Sequence, residues 1–104
     1  MISYLIHHVF LSIVTLMESL NEIARYLADT NNPETIADFL SSMLTLAELE
    51  TVSKRWELVK LLDQGVSQRK IARELHLSLC KITRGSKELK KENSVLKEAI
   101  QKIN

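Results

Sequence analysis

The chain has one cysteine, one proline and two glycines in 104 residues, and aromatic side chains make up only 5% of it. Each scarcity removes a class of protein. A single thiol, Cys80, forbids an intrachain disulfide, and no spacing of cysteines and histidines resembles a zinc site, so the reducing cytoplasm is the expected compartment. With so few backbone breakers the segments between turns run long, which argues for helices rather than many short strands. The adjacent His7 and His8 would point about 100° apart on a helix and share no metal comfortably. No nucleophile–base pairing, paired-carboxylate arrangement or glycine-rich phosphate cradle stands out, so an enzyme is not expected.

Charge is scarce in the first half. Met1–Met17 carries none, yet it has no basic n-region and no small-residue cleavage site, and Ser3, His7, His8 and Ser12 interrupt it. At about 17 residues it sits at the short limit of a membrane span, so burial against another subunit explains its apolar character more simply. Residues 1–53 hold one basic residue against seven acidic ones, a net of −6. Residues 54–91 hold eleven basic residues against four acidic ones, a net of +7, and residues 92–104 balance at two against two. A short basic segment in a nearly neutral chain is the footprint of a nucleic-acid reader, or else a solvated lysine-rich face.

Apolar residues at Leu5, Val9, Leu16, Leu20, Ile23 and Leu27, with Ser12 on the same stripe, predict a first helix over 2–29. Thr30-Asn31-Asn32-Pro33 breaks it; Asn32 can cap the next helix, with Pro33 at the first position, where a missing N–H is harmless. That helix is expected over 34–43. Thr45 and Glu48 have capping-box spacing and open a helix over 46–64, which Gly65 stops. Ser67 caps a helix over 68–75, and Ser78 caps another over 79–91. Val95, Leu96, Ala99, Ile100 and Ile103 extend the helical pattern through 92–104.

The two short helices at 68–75 and 79–91 have the makings of a helix-turn-helix. Ala72 is the small residue at their crossing, and Ile71, Leu75, Leu77 and Ile82 can lock their angle. The turn falls on His76, which tolerates a positive φ better than most residues, though with strain. The exposed positions carry Gln68, Arg69, Lys70, Arg73, Lys81, Thr83, Arg84 and Lys87, types suited to phosphates and base edges.

The run Ser67-Gln68-Arg69-Lys70-Ile71-Ala72, followed by Ile82-Thr83-Arg84-Gly85-Ser86, resembles the tryptophan repressor family, over about Met43 to Lys91. The resemblance implies an all-α, six-helix intertwined homodimer with a helix-turn-helix DNA-reading head and L-tryptophan as corepressor, with no other cofactor. Residues 1–66 would form the N-terminal helices and dimerisation core, 67–91 the DNA-binding region, and 92–104 a helix completing the core. By position, Arg55 and Arg84 would sandwich the indole ring, a role that suits a planar cation. Arg84 would also hold the ligand carboxylate with help from Thr45, and Gly85 would leave space beside the ring. Carbonyls near Ser42 and Leu44 would take the ammonium, since a helix C-terminus leaves acceptors free. Without the resemblance, the two arginines read as ordinary surface or phosphate-contacting groups.

The resemblance also marks departures. The loop around Gly65 is one residue shorter than in the best-known members, and a family serine that helps hold the amino group falls on Glu88, a partner for the ammonium or for another ligand. A family lysine falls on Ala72, and small residues at the start of the reading helix become Leu79, Cys80 and Lys81. The expected DNA contacts are Gln68, Arg69, Lys70, Leu79, Cys80, Lys81, Thr83 and Lys87, and Arg69 could read guanine bidentately. Cys80, at a helix start, is either a redox switch or a small side chain filling the face. Trp56 reads as core or interface. The expected partners are operator DNA, L-tryptophan and a second copy, with no membrane. The alternatives are a regulator that is constitutive or answers another ligand, and a helical protein-interaction module.

Overall fold

The computed structural model describes the backbone of residues 2–104 and the side chains from Ser12 onward, so the expected stripe positions Leu5 and Val9, and the His7–His8 pair, lie outside the described side chains. Six helices and no strand occur among the described residues: α1 (Ile2–Asp29), α2 (Pro33–Met43), α3 (Leu46–Asp63), α4 (Gln68–Leu75), α5 (Leu79–Lys90) and α6 (Val95–Ile103). They fall into two compact units, the first ending at Met43 and the second running Leu44–Asn104.

In the first unit, Thr30 closes α1 by donating its hydroxyl to the Tyr26 carbonyl at 2.7 Å. The Asn32 side chain then accepts from the Glu34 and Thr35 amides, so Asn32 caps a helix that starts on Pro33. The Tyr26 and Phe39 rings, 4.9 Å apart, join the two helices. Ile23 and Leu27 are half-buried, but Ile13, Leu16, Met17 and Leu20 on α1 are each more than 60% exposed.

The second unit is built by caps and two small cores. Thr45 accepts from the Glu48 amide through its hydroxyl, and its own amide donates to Glu48 Oε1 at 2.9 Å, completing the capping box. Hydrogen bonding to its carboxyl, first from the Thr45 amide and then from the Thr45 side chain, holds Glu48 below its usual value. A depressed carboxyl stabilises the fold above its unfolded pKa, and that support is lost as pH falls through the lowered folded value. Thr45→Ala should cost about 1 kcal/mol at neutral pH. In thermal melts followed by circular dichroism, the gap between wild type and Glu48→Gln should narrow on acidification below the carboxylate range.

Helix α3 ends in a Schellman turn: Gly65 takes φ +86°, and the Val66 and Gly65 amides donate to the Leu61 and Leu62 carbonyls. Ser67 and Ser78 cap α4 and α5 through their hydroxyls. Between those helices His76 occupies the left-handed region, φ 53° and ψ 46°. The last helix starts at Val95, not at 92: Asn93 takes φ 59° and Ser94 accepts from the Lys97 amide, so a turn separates α5 from α6.

Leu58 of α3, Ile71 of α4 and Ile82 of α5 meet in one fully buried cluster, flanked by Leu61, Leu62, Val66, Ala72, Leu75 and Leu77. Val59 of α3, Leu89 of α5 and Ile100 of α6 make the second, with Trp56, Leu62 and Leu96 against it. Leu58 and Val59 are neighbours in sequence, so α3 serves both clusters and α5 is wedged against it along two turns. A salt bridge from Lys97 to Asp63, 3.7 Å long, ties the start of α6 to the end of α3.

Candidate functional site

The close approach of α3 and α5 has a specific cause. A Cβ on Gly85 would stand 3.1 Å from Leu58 Cδ2 and 3.6 Å from Val59 Cγ1, so any larger residue here would press on the Leu58 side chain and require it to give by a few tenths of an ångström. Gly85 therefore favours a close approach of α3 and α5 as well as lining the space beside it.

That space is a cavity of about 320 Å³, within the range of small-molecule sites. Its walls are two matching stripes. Val52, Arg55, Trp56 and Val59 lie at i, i+3, i+4 and i+7 of α3, and Lys81, Arg84, Gly85 and Glu88 lie at the same intervals on α5. Leu58 and Leu96 complete an apolar interior. Arg55, Lys81 and Arg84 are exposed at the rim, and among the described residues none of the three pairs with a carboxylate. Glu88, the single carboxylate on the walls, is bound to Lys91 at 2.9 Å.

Of the residues expected around a ligand, the structure thus brings Arg55, Arg84, Gly85 and Glu88 together. Within the second unit, Leu44 and Thr45 are not among the residues that line the cleft, and Ser42 belongs to the first unit. Ser42 donates to the Asp38 carbonyl within α2, and Thr45 is engaged in its capping box. Val52, Trp56, Val59 and Leu96 were not singled out as lining residues by sequence. The repeated i, i+3, i+4, i+7 spacing around Arg55 was the signal for the first three.

An open groove along α5 presents Cys80, Thr83 and Lys87 at i, i+3 and i+7, with Leu79 beside them, and Arg84 and Glu88 border both this groove and the cleft. Thr83 donates its hydroxyl to the Leu79 carbonyl at 2.8 Å, which leaves its methyl group and oxygen lone pairs outward. Gln68, Arg69 and Lys70 are exposed in the first turn of α4, where Lys70 makes a 3.9 Å ion pair with Glu74. Lys81 sits apart from this group, on the cleft stripe. Among the described residues no group of three or more potential metal ligands occurs, and no helix is long and apolar enough to cross a membrane.

These features define a small all-helical protein whose two short helices turn at a left-handed corner beside a cation-rimmed cleft. The chain belongs to the Trp repressor family: the family model described as Trp repressor protein matches residues 18–104, well beyond the Met43–Lys91 stretch that carries the sequence resemblance. It is 37% identical over 73 residues to a Trp operon repressor homolog of Chlamydia caviae, an alignment covering 69% of this chain and 72% of that one. Trp operon repressor homologs of Chlamydia trachomatis, serovars L2 and D, are 35% identical over 68 residues, covering 64% of this chain and 72% of theirs. The family consists of DNA-binding transcription regulators, not enzymes, and the chain is a Trp-repressor-like regulator.

Proposed function

We propose that the chain is a cytoplasmic repressor that binds operator DNA as an intertwined homodimer, with L-tryptophan as corepressor in the α3–α5 cleft. The observation that carries this reading is the placement of Arg55 and Arg84 on facing helices over an apolar cavity wide enough for an indole ring. Guanidinium planes stack on aromatic faces, and Arg84 can also take a carboxylate. The exposed apolar side chains of α1 support a second copy as their cover, since a lone soluble helix rarely leaves so many uncovered together. Gln68, Arg69, Lys70, Leu79, Cys80, Thr83 and Lys87 form the DNA-contacting set. In helix-turn-helix dimers, the Trp repressor among the type cases, the reading helices enter major grooves about 34 Å apart. A ligand that fits the cleft only when the heads are so spaced shifts the dimer toward DNA binding.

Isothermal titration tests the clamp. L-tryptophan should bind wild type, and Arg84→Ala should weaken it about a hundredfold through loss of stacking and a charge-assisted bond. Equal binding by both proteins would remove the clamp. The second reading, a regulator of the same fold that answers another ligand, is favoured by the pairing of Glu88 with Lys91, which occupies the group best suited to an ammonium. Selection of bound sequences from random DNA, with and without tryptophan, separates the two.

A further inference from the structure

Lys81 sits where a DNA contact is expected from sequence, yet its neighbours belong to the ligand cleft. It shares the α5 stripe with Arg84, Gly85 and Glu88, and it also lines a second cavity of about 260 Å³ beside the first, with Lys54, Arg55 and His76 around it. The two cavities share only Arg55 and Lys81. The carboxylate on each is already engaged, Glu88 with Lys91 at 2.9 Å and Glu50 with Lys54 at 3.1 Å. Arg55, Lys81 and Arg84 are left with no carboxylate of their own around one small apolar space.

Three uncompensated cations create a positive potential that a ligand anion relieves and a ligand ammonium aggravates. From this geometry we infer that Lys81 is a specificity-determining residue of the cleft, sharing with Arg84 the carboxylate of an aromatic acid and adding a second cation that selects for the ligand's negative charge. The inference rests on the α3–α5 cleft being the ligand site. Its consequence is a ranking: for a common indole ring, an acid without an amine binds at least as well as the zwitterionic amino acid, and an amine without an acid binds worst.

The test titrates the 104-residue chain with three probes of one ring system, indole-3-acetate, L-tryptophan and tryptamine. Wild type should favour indole-3-acetate over tryptamine, and Lys81→Met should weaken the acid roughly tenfold while sparing the amine, so that their ratio shrinks. Lys81→Arg should keep the wild-type ratio. Lys90→Met makes the same charge change on an exposed residue of α5 that lines neither cavity, and it too should keep the ratio. Circular dichroism melts report whether each variant is folded, and the exposed Lys81 side chain can be replaced without touching either core cluster. Indole binding by wild type with a ratio unmoved in Lys81→Met would overturn this inference and leave the cleft standing. Failure of all three probes to bind wild type would overturn both.

Discussion

Affinity of the full chain for duplex DNA is expected to fall about a thousandfold as salt rises from roughly 50 to 200 mM. The reason is the +7 balance of residues 54–91, concentrated where α4 and α5 are exposed. Arg69, Lys70, Arg73, Lys87, Lys90 and Lys91 all face solvent. The 3.9 Å ion pair of Lys70 with Glu74 is a surface pair worth about 0–1 kcal/mol, too weak to withhold Lys70 from a phosphate. Two copies would displace counterions from about six phosphates or more, and each phosphate neutralised adds close to −0.9 to the logarithmic salt slope. Lys87→Met should lower affinity across all sequences and flatten that slope by about one unit for each phosphate left without its lysine. Fluorescence anisotropy with labelled duplexes over a salt series measures both effects. A slope near zero would mean that another surface meets the DNA.

Ile82→Ala should be the most damaging single change to the fold. Ile82 has no exposed surface and joins Leu58 and Ile71 where α3, α4 and α5 converge. Removing three carbons there loses transfer energy and leaves a cavity that three helices cannot easily close, for a cost of about 2–5 kcal/mol. Small domains hold roughly 5–15 kcal/mol in all, so urea unfolding should show a strongly lowered midpoint. The matched control is Ile103→Ala, which truncates a side chain 68% exposed and should change stability by about 0.5 kcal/mol or less. DNA binding should fall with Ile82→Ala even where the chain is folded, because the same packing fixes the angle between α4 and α5.

Local chemistry made most of the helix boundaries legible. Asn32 with Pro33, Thr45 with Glu48, Ser67 and Ser78 each announce a helix start through a side chain that reaches its own backbone, and the structure realises all four. The sequence pattern sets the start of α6 three residues too early, at 92, because Glu92 is a good helix former next to Lys90 and Lys91. Its markers, Asn93 in the left-handed region and Ser94 as cap, read in sequence as the first residues of the last helix. For the cleft, the two arginines came from family resemblance, while the apolar interior became visible only once α3 and α5 were set against each other. Exposure in a sequence pattern says that a residue faces outward but not which neighbour it faces. That is why Lys81 groups with Thr83 and Lys87 by sequence and with Arg84 in the fold. Gly85 shows the same limit, since its dependence on Leu58 is a distance between two helices.

The corner at His76 carries a last consequence. Glycine there would relax the left-handed backbone but would also let the joint swing, whereas a residue with a Cβ narrows the accessible angles at a cost of about 1 kcal/mol or more. With Ile71 and Ile82 bolted together beneath it, the joint behaves as a stiff bracket. Because Leu58 joins the same cluster, a change in how α5 lies on α3 is expected to reach α4 through shared packing and not through the turn alone.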